Sequence, residues 1–427
     1  MTSKILLTLL LFHYVLVNSI DLSTLKLCEG QLCTPDCSNC NLCDPNVCKP
    51  ENNCQCYSQE IPGNLPLDDT PQFFFLTFDD ILEKDTLYDI SKTLDPLIKD
   101  ATIKDGLGCA VRPTFYVQSL GCQFALAALY EKKYGGEIAL HSVTHTTSAT
   151  TSDATWKVEI GQSYSDIRDL SSVNNIYGFR APYLEVNEYY YKYLSQNKIL
   201  YDSSSSYYGA SWRKDRPAAD QRNYWPFTLD YGFPDIGYCY SAVSCPTKSF
   251  PGIWEITMIG YVNSQGKEYV IMDYDYTTIE TFVADVKAQV QKNYNSNRAP
   301  MGLYFHSLFF LNKDETAFDP NKYTFLQTVL KMLSATFPKL VFTTPARVIN
   351  WMKNPKKFSE LQTSSDFTCV PRVNSWVLEN SCNDNKPVST CSGSGDYLSY
   401  LICGAYCPNS FPNYGVNWDY SGGLPER

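Results

Sequence analysis

Between about Pro71 and Pro355 the chain alternates short apolar runs with longer segments of helical period, and this alternation constrains the fold more than any other feature. The runs "QFFFLTF", "RPTFYV", "EIALH", "IYGFR", "ILYDS", "WPFTL", "IWEITM", "MGLYFH" and "KLVFT" read as strands. Leu87 to Lys99, Gln123 to Tyr134, Trp156 to Leu170, Ile279 to Tyr294 and Thr324 to Phe337 read as helices between them. Such a pattern predicts an α/β domain with a mainly parallel sheet.

The unusual polar residues close these runs. Asp79 and Asp80 end the first, His141 ends "EIALH", Arg180 ends "IYGFR" and His306 ends "MGLYFH". In a (β/α) barrel the carboxyl ends of the strands share one face, so residues far apart in sequence meet at one rim.

The flanks differ from this body. Met1 to Ser19, with one basic residue and the apolar run "ILLTLLLFHYVLV", reads as a secretory signal peptide, and no later stretch is long and apolar enough for a membrane helix. Of the 17 cysteines, eight fall between Cys28 and Cys56 and five between Cys369 and Cys407. With a signal peptide they predict disulfides in a secreted, extracellular protein, and the odd count leaves one thiol over. The CxxCxxC spacing in "CSNCNLC" is also compatible with zinc, but crowding and irregular spacing favour bridges. A formal net charge of −10 argues against nucleic acid or an anionic membrane as partner, because phosphate neutralisation needs clustered Lys and Arg. The 32 tyrosines suit core packing first and sugar rings second.

Once the signal segment is set aside, His141, His145 and His306 are the only histidines. Two imidazoles and one carboxylate form a three-ligand set with an open fourth position, the arrangement of catalytic zinc. His141, His145 and one of Asp79 or Asp80 can supply it, and the other Asp is then free as a base. A carboxylate near pKa 3.9 lies about 12 units below water, too far to activate it alone, whereas zinc brings bound water to about 7. His306 is the histidine left to act as general acid, and Arg180 can orient the base. Each residue also has a plain structural reading, as turn, cap, core histidine or ion pair. Their shared position at strand ends ties them together.

These pieces, in this order, resemble the polysaccharide deacetylases of carbohydrate esterase family 4, the NodB-homology domain, and most closely the secreted chitin deacetylases of arthropods. "TFDD" (77–80) is similar to the first motif of that family, which implies Asp79 as base and Asp80 as metal ligand. "HSVTH" (141–145) resembles the second and implies both histidines as ligands. "RAPY" (180–183) resembles the third, implying that Arg180 braces the base and the Tyr183 backbone N–H helps hold the oxyanion. "LYFH" (303–306) resembles the fifth, with His306 as acid and Leu303 lining the acetyl pocket. The similarity runs from about Cys43 to Pro355. The fourth motif departs from the pattern: Asp230 in "WPFTLDY" is the best match for the Asp that tunes the acid histidine, Asp202 is the runner-up, and Trp225 is the candidate aromatic wall. Cys239 and Cys245 resemble a locally bridged loop of the same group.

The resemblance implies a distorted (β/α) barrel of the NodB-homology type, with small cysteine-rich segments at both ends. The expected division is a signal peptide (1–19), an N-terminal cysteine-rich segment (20–62), a catalytic domain (63–357) and a C-terminal cysteine-rich module (358–427), with 353–366 as a linker. That last module fits either a glycan-binding unit or a disulfide-stapled cap. The implied activity is removal of acetyl groups from chitin or a related acetylated polysaccharide, using Zn2+ or another divalent cation such as Co2+. Peptidoglycan and acetyl-xylan are the alternative substrates, and a chitin-binding protein without turnover is the alternative class.

Overall fold

The computed structural model describes residues 26–28, 31–33, 43–147, 151–207, 222–233, 248–370, 382, 385–392 and 399–407. The expected signal peptide and the Cys239–Cys245 loop lie outside the described residues. Near the N-terminus β1 (Lys26–Cys28) and β2 (Gln31–Cys33) form a small antiparallel pair.

The body is a nine-stranded sheet. Its strands β3 (Gln72–Asp80), β4 (Pro113–Val117), β5 (Glu137–Leu140), β6 (Gly178–Phe179) and β7 (Tyr201–Asp202) pair in sequence order, all parallel. After the short β8 (Ser206–Tyr207), β9 (Phe227–Leu229) forms the antiparallel far edge against β10 (Phe250–Glu255), and β10 in turn pairs parallel with β7. The short β11 (Met258–Ile259) pairs with β8, while β12 (Met301–His306) and β13 (Leu340–Phe342) both run parallel to β3. The α/β class and mainly parallel sheet read from the sequence are therefore present.

The sheet is curled rather than flat, as one side chain demonstrates. Arg180 follows β6, three strand spacings from β3, roughly 14 Å on a flat sheet. Yet its Nη1 is 2.9 Å from Thr77 Oγ1 on β3, and its guanidinium lies over the Tyr116 ring of β4 at 3.9 Å and the Tyr304 ring of β12 at 5.6 Å. These strands surround one arginine, so the sheet wraps around it as an incomplete barrel.

Alternation along each strand then sorts the core into two layers. Phe74, Leu76 and Phe78 join Phe115, Leu303 and Phe305 in the cluster that packs under the outer helices. Phe73 and Phe75 join Tyr116, Tyr201, Trp225, Trp254 and Trp351 in the inner cluster. Strand β3 is buried on both faces, which explains its uninterrupted apolar run.

The helices Ser91–Lys99, Phe124–Tyr134, Asp153–Ser171, Ile279–Tyr294 and Pro320–Thr336 stand where the period placed them. Two further helices, Glu188–Gln196 and Pro345–Lys353, were not anticipated. The first is capped by Asn187, whose side chain accepts from Tyr190 N, but its run of tyrosines, three of them buried, hides the apolar period.

Both cysteine-rich ends pack onto this body. Cys43–Cys56 and Cys48–Cys54 are disulfides; Cys37 and Cys40 of the CxxCxxC run lie outside the described residues. Downstream, Gln55 and Thr228 exchange hydrogen bonds of 2.9 Å and Trp225 N donates to Ser58 O at 3.1 Å, so the segment covers the open edge of β9. Residues 353–366 do not hang as a linker: Trp351 Nε1 donates to Lys356 O, Leu361 is fully buried, and beyond them Phe367 stacks on Phe73. Arg112 donates to the carbonyls of Asp366, Phe367 and Thr368, beside the Cys109–Cys369 disulfide. The final hairpin, β14 (Val388–Ser392) and β15 (Ser399–Cys403), carries Cys382–Cys403 and Cys391–Cys407. Tyr400 stacks on Phe124 and Leu401 N donates to Gln123 Oε1, so the hairpin lies on helix Phe124–Tyr134, in the manner of a stapled cap. That helix is buried almost all round. Cys122 is the free cysteine among the described residues, buried, with its thiol pushed up to about 12 by burial.

Candidate active site

The strand ends do converge. Asp79, Asp80, His141, His145, Tyr183 and His306 line one pocket of about 530 Å³, with Ala181, Leu184, Glu185, Val270, Ile271, Met272 and Asp273. Asp80 ends β3, His141 follows β5 directly, Arg180 follows β6 and His306 ends β12.

Several backbones here adopt left-handed conformations that side-chain-bearing residues avoid: Asp80 (φ 82°), Ser142 (67°), His145 (56°), Tyr183 (56°) and Leu184 (58°). Each costs on the order of 1 kcal/mol or more and persists only where neighbours fix it. Gln118 N donates to Asp80 O at 3.0 Å, Ser119 N to Ser142 O at 3.0 Å and His145 N to Ser142 Oγ at 3.1 Å. The turns thereby aim three side chains at one point.

Asp80 Oδ1 stands 3.7 Å from His141 Nε2 and 3.4 Å from His145 Nε2. Asp80 Oδ1 and His141 Nε2 are buried without a hydrogen-bond partner. The other nitrogen of His141, Nδ1, is 2.7 Å from Arg180 O, which can only accept, so Nδ1 carries the proton and Nε2 presents a lone pair. Burial first, then the neighbouring His145, pushes His141 down to about 3, so it stays neutral at ordinary pH. Two ligands about 2.0–2.1 Å from a tetrahedral zinc stand about 3.3–3.4 Å apart. At this spacing Asp80, His141 and His145 could hold one divalent cation together.

Asp79 is buried and its Oδ1 accepts from Arg180 Nη1 at 2.6 Å. Arg180 is wholly buried, with Nε donating to Ser203 O at 2.9 Å and Nη2 to Ser203 Oγ at 3.1 Å. Burial opposes its charge, but the Asp79 carboxylate and the Tyr116 and Tyr304 rings together outweigh it and hold its pKa above the usual value. Asp79 Oδ2 is 4.0 Å from His141 Nε2, so it faces the proposed ligands.

His306 is gripped by a residue the sequence did not reveal. Asp273 Oδ2 lies 2.5 Å from His306 Nδ1, and Asp273 Oδ1 accepts from His306 N at 2.9 Å. Burial opposes charge on the ring, but Asp273, with Asp79 and Asp80 beyond it, outweighs burial and raises His306 to about 9.

Asp230, Asp202, Trp225 and Leu303, implied by the resemblance as site residues, do not line the pocket. Asp230 is not in the pocket; its Oδ2 accepts from Gly252 N at 3.0 Å near the β9 edge. Asp202, the runner-up, is buried outside the pocket and accepts from Tyr190 and Tyr191. Residue 273 reaches the histidine because its own N donates to Tyr304 O at 3.2 Å, folding the loop over β12. Trp225 sits in the inner core, stacked on Trp351 at 5.5 Å, and the exposed aromatic of the pocket is Tyr183, edge-on to His145 at 4.6 Å. Leu303 belongs to the outer layer under the helices. It lies three residues from His306, and the period of two puts Tyr304, not Leu303, on the histidine's face. The apolar wall is Leu184, Ile271 and Met272, which cluster with Tyr304.

No protein-family model matches the chain. Chitin deacetylase 1 of Bombyx mori is 27% identical over 424 residues, taking in 90% of this chain and 72% of the relative. Chitin deacetylase 8 of the same organism is 27% identical over 385 residues, 87% of this chain and 91% of the relative. Among solved structures, a family 4 carbohydrate esterase from Streptomyces lividans in complex with acetate covers 67% of this chain and 96% of its own, at 14% identity and a TM-score of 0.33. The resemblance carried by the motifs thus extends to similarity over most of the sequence.

Proposed function

We propose that the chain is a secreted, divalent-cation-dependent deacetylase that hydrolyses N-acetyl groups of chitin. The observation that carries this reading is the convergence of Asp80 Oδ1, His141 Nε2 and His145 Nε2 on one point, beside an Arg-held carboxylate and an Asp-held imidazole. Asp80, His141 and His145 hold the cation. A bound Zn2+ or Co2+ supplies Lewis acidity, polarising the amide carbonyl and making water acidic enough to lose a proton near neutral pH.

The rest falls to the chain's own residues. Asp79, fixed through Oδ1 by Arg180, takes the proton of the attacking water on Oδ2. The Tyr183 backbone N–H stabilises the oxyanion that develops on the carbonyl. His306, protonated because Asp273 sustains its charge, gives its Nε2 proton to the departing nitrogen as the C–N bond breaks. Leu184, Ile271 and Met272 offer apolar contact to the acetyl methyl. Acetate and a glucosamine unit result. The similarity to two chitin deacetylases favours chitin over peptidoglycan or acetyl-xylan, and the disulfides favour an oxidising, extracellular location. No helix among the described residues is long and apolar enough to cross a membrane.

The test is acetate release from chitin oligomers, peptidoglycan and acetylated xylan, with and without chelator. Release from chitin oligomers that chelator abolishes and Zn2+ restores is expected. Release unaffected by thorough chelation refutes the cation, and chitin binding without acetate release refutes turnover.

A further inference from the structure

The loop from His141 to His145 has to point two imidazoles at one spot, and its backbone N–H groups are drawn inside while it does so. Val143 is buried, and the amides of Val143 and Thr144 need acceptors there. Both donate to one oxygen, Glu159 Oε2, at 2.8 and 2.9 Å, and Glu159 Oε1 accepts from the Thr144 hydroxyl at 2.6 Å. Glu159 is 4% exposed, midway along helix Asp153–Ser171. Burying a carboxylate is costly, and an apolar side chain would fill the same space with less desolvation if packing alone were required.

We infer that Glu159 is a positioning residue whose carboxylate fixes the His141–His145 loop, and with it the angle at which the two imidazoles meet Asp80. Three bonds from one rigid helical side chain hold the two peptides midway between the ligands. The left-handed turns at Ser142 and His145 flank these peptides; Ser119 N and Leu120 N hold the carbonyls of Ser142 and Val143, and Glu159 is the side chain that holds the amides of Val143 and Thr144. Glu159 touches neither the cation nor the substrate, so its effect passes through ligand geometry, as outer partners of metal ligands do. This inference rests on the cation-binding reading of the site.

The experiment titrates the metal-free, full-length protein with Co2+, followed by visible absorption, alongside thermal melting without metal. Glu159→Leu should weaken Co2+ affinity by about 10- to 100-fold. Glu159→Gln should stay within about threefold of wild type, because its amide oxygen still accepts both N–H groups and its NH2 can donate to the Thr144 hydroxyl. Kinetics on chitin oligomers should show the Glu159→Leu loss in kcat at saturating oligomer, with KM little changed. A folded Glu159→Leu that binds Co2+ within about threefold of wild type overturns the inference, whatever its melting temperature. So does a Glu159→Gln as weak as Glu159→Leu. If Glu159→Leu does not fold, Glu159→Asp, one methylene too short to reach the loop, takes its place with the same two outcomes. A wild-type protein that binds no Co2+ refutes the site reading, and this inference with it.

Discussion

Replacing Asp273 by Asn removes the charge that keeps His306 protonated and nearly isosterically preserves the side chain. In the intact protein that histidine sits at about 9, against an ordinary value of 6.5. Without the carboxylate, burial is opposed only by Asp79 and Asp80, and the ring falls back to about its ordinary 6.5. A general acid works in its protonated form, so activity is lost as pH rises through its pKa. At pH 6 the ring is mostly protonated in both proteins, and the difference in competent enzyme is small. At pH 8 the protonated fraction falls from about nine-tenths to about three-hundredths, roughly a 30-fold loss, and the gap widens above pH 9. The assay is kcat/KM for acetate release between pH 5.5 and 9.5. The expected signature is an alkaline limb moved down by about two units or more, with the wild-type to variant ratio growing with pH. A uniform loss at every pH would refute the reasoning, because it would mean that Asp273 orients the ring without supporting its charge. Asp230→Asn, in the same assay, should leave the limb unmoved.

Three further outcomes are expected. Asp79→Asn should abolish acetate release while the protein still takes up one divalent ion per chain, read by metal analysis after dialysis; full activity in the variant refutes the base. Tyr400→Ala, at a buried ring stacked on Phe124, should lower stability by about 3 kcal/mol in denaturant titration, with kcat per folded molecule unchanged. Asp166 is buried beside Gln162, and burial raises its carboxyl to about 7 from 3.8. Its favourable contribution is complete below about pH 4 and is lost as pH rises to about 7, so Asp166→Asn should gain on wild type by a few kcal/mol between pH 4 and pH 8.

The fold and much of the site were legible because parallel strands write their geometry into the sequence. Strands β3, β4, β5 and β12 are buried on both faces, so their apolar runs are continuous, and the polar residue at or after the end marks the rim. Asp79, Asp80, His141, Arg180 and His306 were found in this way. Asp273 was not, since it reaches His306 from a loop and no strand end or spacing connects residue 273 to 306. Leu303 was placed on the wrong side of β12 because a motif was read as adjacent letters, when the pleat permits only every second residue to share a face. Trp225 shows the reverse case: the resemblance implied an aromatic wall, but the segment leading into β9 packs this ring into the inner core against Trp351. Glu159 carried no signal, being one acid among several on an amphipathic helix.

The docked hairpin at Val388–Cys403 has a consequence for how the chain matures. Helix Phe124–Tyr134 leaves the ribosome with an oily outer surface whose cover is encoded 276 to 278 residues later. Even once the last strand of the body, β13, has been made, the hairpin that covers this flank is still to come. Two cystines must then close before the cover is firm. A catalytic core expressed without its last segment, or in a reducing cytosol, would keep that flank bare and tend toward inclusion bodies. Firm closure of the cover therefore requires oxidising conditions in which Cys382–Cys403 and Cys391–Cys407 can form.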